Sequence, residues 1–534
     1  MFQQFLTPVN GSLPLSFIVA ALPIVTILVL LGVLRRPAWQ ASLAGLLAGI
    51  VVAVGVWHFP IALTARAMTS GAAFAAWPIM WIVFNALLLY NLAVVSGSFE
   101  SFRSWIIKHL PNDRRIVLVV IGFSFSALLE GVAGFGTPVA ITSSLLILLG
   151  FAPLDALVCT LIFNTAPVAF AALGVPVVTL ANVTHLPAPI LAAMIGRQLP
   201  FFAVLLPFYV ITVHAGVRAL RQVWPVLLVA GGSFGFLQFL ASNFMNYSLT
   251  DVVASLGSIL STLLFLRMWQ PLHDVRFAVT GMKDGAVSAS PKSTWHAWAP
   301  WSIVSATVIV WSLFGVAKIG QIGIPWPGLH NAVSITLYGG TPYSDVWNFQ
   351  PLGTGTAILV AAIASAAFLG VRPVQFVKCI IDTWRQTRFA ILTVMLMIAL
   401  AYVLNYSGVN YTLGFGISSL GLAFVLLAPF LGWIAVLLTG SDTSGNALFG
   451  NLQVVAAKQL QLDPVLFAAT NSSGGVMGKM VSPQNIATGL ALTSQDAKGG
   501  QVFARTFPHS VALTFVLGAL VAIQQFVLPW VVPH

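Results

Sequence analysis

Glutamate is almost absent from this chain. Of 534 residues only Glu100 and Glu130 are glutamates, Asp and Glu together number 12, and charged residues of both signs make up 7% against 58% hydrophobic. So little charge excludes a water-soluble domain of this length, whose surface would need about a quarter of its residues charged. Cysteine is scarce too. Cys159 and Cys379 stand far apart in apolar or amphipathic stretches, which excludes a disulfide framework and a thiolate metal site. The nine His are dispersed, mostly at loop edges, without metal-ligand spacing, so neither metal nor cofactor is expected. A nucleophile–base pair at plausible spacing is also missing, which argues against a membrane-embedded enzyme, the alternative from another class. The 23 Lys and Arg give a net charge of +11, but they are scattered through short loops. The positive-inside rule accounts for them, and nucleic acid is not an expected partner.

What the chain holds instead is a series of apolar stretches, with a mean hydropathy of +0.96. Crossing a bilayer's hydrocarbon core takes about 20 such residues per helix, so the series from Leu13 to the C-terminal region predicts an all-α, polytopic membrane protein of about 12–14 transmembrane or partial helices. The first run, Leu13 to Leu34, has no basic residue before it and ends in Arg35-Arg36. That reverses a signal peptide's charge order, and the run is expected to be kept as a first helix. Basic clusters follow at Arg103 through Arg115, Arg218 and Arg221, Arg267 to Lys292, Arg372 to Arg388, and Lys498 with Arg505. These are the expected cytoplasmic loops. Charge-poor loops, notably Gly320 to Gln350 and Asn405 to Tyr411, are expected outside, which places both termini on the outer face.

The longest polar connection, His273 to Ser293, divides the chain into 1–215 as a first transmembrane repeat, 216–294 as connecting helices and linker, and 295–534 as a second repeat. In each half three apolar spans precede a fourth that ends in a break, at Glu130 in one and at "TGSDTSGN", Thr439 to Asn446, in the other. Loop charges make matching spans cross in opposite directions. That is the inverted repeat of many secondary transporters, with broken helices and hairpins at the midplane. A finer match lies in "NTAPVAFAALGVP", from Asn164, and "NSSGGVMGKMVSP", from Asn471, where Pro follows Asn by twelve residues in both.

Polar residues in apolar surroundings mark the candidate site. Irregular backbone at membrane depth is tolerated only where protein or a water-filled cavity covers it. "EGVAGFGTP" offers Gly134 and Gly136 for such a break, and Gly445 lies in the matching one. A broken helix exposes N–H groups and a positive dipole end suited to a small anion. The alternative is a Gly-rich helix interface. Glu130 is a functional candidate because an intramembrane acid is costly. Burial favours a carboxyl's neutral form, which suits it to take up and release a proton, unless a structural partner neutralises it. Asp442 is the second proton-coupling candidate, or an N-cap beside Ser441. Asn164, Thr165, Asn471, Ser472 and Ser473 offer neutral groups for a carboxylate and a hydroxyl, or ordinary interhelical hydrogen bonds. Lys479 and Arg197 are the cations least explained by loop charge. Each could meet a substrate carboxylate, or instead snorkel to the interface or pair with an acid, and for Arg197 these latter roles are favoured.

With "LLEGVAGFGTPVAI", "GSDTSGNALFGNLQ" and "NSSGGVMGKMVSPQNIA" in this order, the chain resembles the bacterial L-lactate permease family over essentially its whole length. The resemblance implies a secondary active transporter in the bacterial inner membrane, taking up L-lactate, D-lactate and glycolate by proton symport, and the loop charges above make its termini periplasmic. Its expected partners are a small monocarboxylate, protons and the lipid bilayer. More faintly, the chain is similar to ion transporters with paired Asn-Thr/Ser hairpin tips, matching Asn164-Thr165 and Asn471-Ser472. Sodium coupling or ion antiport is the rival transport reading.

Overall fold

The computed structural model describes residues 1–34, 36–132, 134, 137–271, 274–279, 294–491 and 499–533. Of the positions singled out above, Arg35, Gly136, Lys498 and most of the connection from His273 to Ser293 lie outside the described residues.

Apolar runs become helices because, in lipid, each backbone N–H and C=O must be satisfied within its own segment. Among the described residues, eight helices are long and apolar enough to cross a membrane. The bent pair Pro153–Phe163 and Val168–Thr184 makes a ninth, and Pro138–Leu148, Thr354–Phe368 and Ala423–Thr439 are shorter apolar helices. The protein is thus a polytopic, mostly helical membrane protein. Its longest helix, Ala188–Phe244, has 57 residues. At 1.5 Å per residue that is about 86 Å, enough to cross a core of about 30 Å twice. The break falls at Gly216, whose φ of +83° and ψ of 169° interrupt the helix just before Arg218 and Arg221. Ile61–Val95 is interrupted likewise at Trp77, where the following Pro78 brings no N–H.

Helices from both halves of the chain make up each of two bundles. In the first, Leu13–Leu28, Ala38–Gly55, Ile61–Phe74, Trp81–Val95 and Ser98–Lys108 pack with Thr294–Leu313, Thr354–Phe368, Pro373–Ser407 and Val409–Ser418. In the second, the helices from Ser126–Val132 to Thr250–Met268 pack with those from Ala423–Thr439 to Gly499–Phe526. The bundles meet mainly where Asp442–Gln459 lies against Pro373–Ser407 and Val409–Ser418, and where Ala171–Thr184 lies against Trp81–Val95.

Short strands depart from the all-helical expectation. Ile322–Pro325 pairs antiparallel with Val346–Phe349, and Phe2–Gln3 pairs parallel with Val333–Ile335. All but Phe2–Gln3, at the N-terminus, lie in the polar loop expected outside the bilayer, where backbone need not be satisfied within one helix. At another loop, Asn112 Oδ1 accepts the Val279 N–H at 2.7 Å and Arg115 lies 4.2 Å over the Phe277 ring. The long connection therefore begins against a basic loop.

Candidate functional site

Four interrupted segments of the second bundle converge. Ser126–Val132 ends two residues after the buried Glu130, and Gly134, at φ +59°, turns the chain toward Thr137–Leu148. Pro153–Phe163 and Val168–Thr184 meet at 65° around Asn164 and Thr165. Ala172, Leu173 and Gly174 then take positive φ inside the next segment, where Gly174 lets the chain pass Tyr247. Gly440, at φ +70°, separates Ala423–Thr439 from Asp442–Gln459.

Glu130 is fully buried, and its carboxylate is shared between two donors from distant segments. Lys479 Nζ, at the end of Pro464–Lys479, stands 2.5 Å from Oε1, and Asn164 Nδ2 donates to Oε2 at 3.0 Å. The acid and the cation picked out separately in the sequence thus form one buried ion pair joining the two halves of the chain. Such a pair is costly to desolvate and strongly destabilised when either partner is lost.

Asp442 is not the N-cap of its helix. Ser441 takes that role, accepting from the Ser444 N–H. The Asp442 carboxylate turns inward, where Oδ2 accepts from Ser472 Oγ at 2.5 Å and Asn446 Nδ2 at 3.2 Å, while Oδ1 has no partner among the described residues. Asn471 donates to Asn446 Oδ1 at 2.9 Å and to the Gly445 carbonyl, and Gln453 Nε2 donates to Asn471 Oδ1 at 3.0 Å. Asn446 and Gln453, absent from the sequence-based set, therefore complete the network. Their signal was their recurrence on the inward face of Asp442–Gln459.

Other expected residues are placed differently. Asn471 to Ser473 lie inside the uninterrupted helix Pro464–Lys479, not at a hairpin tip. That helix stays whole because Gly474 and Gly478, one turn apart, lie against the Pro429 and Trp433 carbonyls, where a Cβ would overlap them. The Gly134 and Gly445 N–H groups are used in helical bonds to the Glu130 and Ser441 carbonyls, so neither is free for an anion. The Thr165 hydroxyl is turned to the Ile162 carbonyl, and Ser473 Oγ is buried without a partner among the described residues. Arg197 bonds Asn243 at 2.8 Å and the Val531 carbonyl at 2.5 Å, away from this cluster.

Glu130, Gly134, Ala172, Asp442, Thr443 and Lys479 border a cavity of about 30 Å³. That is room for about one or two waters, not for a three-carbon acid, so the conformation is closed here. The opening turn of Asp442–Gln459 borders this cavity with the positive end of its dipole. A second cavity, of about 730 Å³, opens between the bundles and is lined by Asn182, His185, Tyr247, Tyr343, Tyr402 and Lys458. The same two helices, Ala171–Thr184 and Asp442–Gln459, border both cavities.

The sequence model of the L-lactate permease family matches residues 16–528. This chain belongs to that family. Among its relatives, the glycolate permease GlcA of Escherichia coli K12 is 40% identical, over 97% of this chain and 97% of its own length. The L-lactate permease of the same organism is 37% identical over the whole of both chains. Of solved structures, Neisseria gonorrhoeae MtrF, described with a class of antimetabolite efflux pumps, is similar with a TM-score of 0.49. It is 14% identical over 88% of this chain and 85% of that one.

One further residue of this permease, Asp251, stands beside the site and was passed over in the sequence. It opens the apolar helix Thr250–Met268 and there resembles an ordinary first-turn acid. The comparison with Asp463 separates the two cases. Asp463 accepts the Val465 and Leu466 N–H groups at 2.8 and 3.2 Å, whereas the buried Asp251 carboxyl accepts no hydrogen bond among the described residues.

Proposed function

We propose that this permease takes up L-lactate, D-lactate and glycolate by proton symport across the bacterial inner membrane. The observation that carries the reading is the buried Glu130–Lys479 pair at the small cavity. A substrate carboxylate binds by displacing Glu130 from the Lys479 ammonium, aided by the Asp442 and Thr443 N–H groups at the start of Asp442–Gln459. Glu130 is then left ionised in the interior without its counter-charge, which is strongly unfavourable. Taking up one proton removes that charge, so anion and proton bind together. Asp442, held by Ser472 and Asn446, is a second group able to exchange a proton, and Asn164 steadies Glu130 in both states. The names of the relatives, L-lactate permease and glycolate permease, support the substrate class.

Residues 1–215 and 295–534 act as inverted repeats joined by 216–294, and because each bundle takes helices from both, movement of one bundle against the other opens the small cavity to each side in turn. Both termini face the periplasm in this reading. The pairing of Phe2–Gln3 with Val333–Ile335 supports it by bringing the N-terminus to the charge-poor loop.

The test is L-lactate uptake into proteoliposomes under an imposed inward proton gradient, without sodium and with internal pH recorded. Accumulation with matching internal acidification is expected. Accumulation that requires sodium and leaves the internal pH unchanged would replace proton coupling by sodium coupling. Absence of uptake by folded protein would overturn the substrate assignment.

A further inference from the structure

Asp251 is 1% exposed, and neither of its carboxyl oxygens accepts a hydrogen bond among the described residues. It packs against the residue that follows Glu130, for a Cβ at Gly131 would stand 2.5 Å from the Asp251 Cβ. The charged groups that act on it are Glu130, from the packed helix Ser126–Val132, and Lys479. On the long helix packed against the other side, Arg197 is turned to Asn243 and Val531, and Tyr209 is bonded to His509. Lys479, the cation within reach, is already held by Glu130. An ionised carboxylate with neither a hydrogen bond nor a free counter-charge is strongly unfavourable in such an interior. The state that fits this geometry is the neutral acid.

Position gives that proton a use. Tyr247, four residues and so about one helical turn before Asp251, lines the large cavity between the bundles. Asp251 therefore follows a residue of the large cavity's wall by about one turn and packs against the residue that follows Glu130. We propose that Asp251 is a proton relay between the large cavity and Glu130, holding a proton while Glu130 is paired with Lys479. The proposal rests on the symport reading above. When a substrate carboxylate takes Lys479, the Asp251 O–H bond breaks as an O–H bond forms on Glu130, and a solvent proton from the cavity side restores Asp251. The net result is one proton bound per anion. When the substrate leaves at the opposite face, Lys479 returns to Glu130 and the Glu130 proton leaves to that face with the substrate, so the proton taken from the large cavity crosses the membrane. Gly131 belongs to the device because a side chain there would separate the two carboxyls.

The test compares wild-type protein with Asp251→Asn, a neutral side chain of the same shape, in proteoliposomes supplied with L-lactate. Two fluxes are measured: accumulation driven by an inward proton gradient, and exchange of internal for external lactate, which needs no net proton movement. The relay predicts that Asp251→Asn loses accumulation at least tenfold while exchange falls less than threefold and no longer responds to external pH. Accumulation within threefold of wild type, with an unchanged pH profile, would overturn it. Should the wild-type protein itself exchange lactate but fail to accumulate it under the gradient, the symport reading falls and the relay with it. If Asp251→Asn does not fold, infrared spectra of wild type and Asp251→Glu decide. A protonated-carboxyl C=O band at neutral pH that shifts in the Glu variant supports the relay, and the lack of any such band overturns it.

Discussion

Replacing Glu130 by Gln removes one charge from the ion pair and leaves its shape. The side chains of Glu130 and Lys479 are 0% and 5% exposed, so the scale is that of buried pairs, about 3–5 kcal/mol on loss of one partner, not the roughly 0–1 kcal/mol of surface pairs. Gln still offers its one oxygen to Lys479, and its N–H can donate to Asn164 Oδ1, which has no partner among the described residues, so Glu130→Gln is expected at the lower end, about 3 kcal/mol. Lys479→Met strands the carboxylate with Asn164 as its remaining donor and is expected at the upper end, about 5 kcal/mol. The double variant Glu130→Gln with Lys479→Met buries no charge and is expected within about 2 kcal/mol of wild type, far less than the sum of the two. Unfolding by SDS titration in lipid–detergent micelles, followed through tryptophan fluorescence, measures all four proteins. In transport, Glu130→Gln is expected to lose proton-driven accumulation while still exchanging lactate. Two results would refute the reasoning: single variants each within about 1 kcal/mol of wild type with an additive double, or undiminished accumulation by Glu130→Gln.

Three further outcomes follow from local geometry. Gln453→Leu deprives Asn471 Oδ1 and the Ala428 carbonyl of their donor and is expected to destabilise by about 1–3 kcal/mol, read by the same unfolding assay. Gly478→Val drives a side chain into the Trp433 carbonyl and is expected to abolish folded protein, whereas Gly500→Ala, where a Cβ meets nothing within 4 Å, keeps or raises the folded yield on size-exclusion chromatography. Lys458→Gln removes the positive charge from the wall of the large cavity. It is expected to raise KM for lactate about 2–5-fold with little change in maximum rate, a difference that fades as salt rises.

How far the site was legible depended on whether its signal was local. Glu130, Asp442, Asn471, Ser472 and Lys479 stand out because lipid selects against polar side chains, so any that persist in apolar runs mark buried protein–protein contact or a cavity. The breaks at Gly134 and Gly440 were legible for the same reason, since glycine clusters interrupt what would otherwise be continuous spans. Asn471 misled because "NSSGG" has the composition of a loop. Its glycines serve close packing against Ala423–Thr439, and only the neighbour shows that the helix runs on. Asp251 and Asp463 read alike as acids at a helix start, yet one caps backbone N–H groups and the other caps nothing. That difference lies in what surrounds the carboxyl.

By itself the sequence determined that this is a polytopic membrane protein, where most of its helices run, and which polar groups are buried in them. Those properties follow from composition along single segments, because the bilayer demands about 20 apolar residues per crossing and internally satisfied backbone. Tertiary structure alone decided that Lys479 neutralises Glu130 from 349 residues away, that Gln453 holds Asn471, that each bundle mixes both halves of the chain, and that Asp251 packs beside Gly131 with no hydrogen bond to its carboxyl among the described residues. These depend on which helix faces stand opposite one another. In lipid many apolar faces are nearly equivalent partners, and the choice among them rests on close packing of small residues and on polar groups finding their complements.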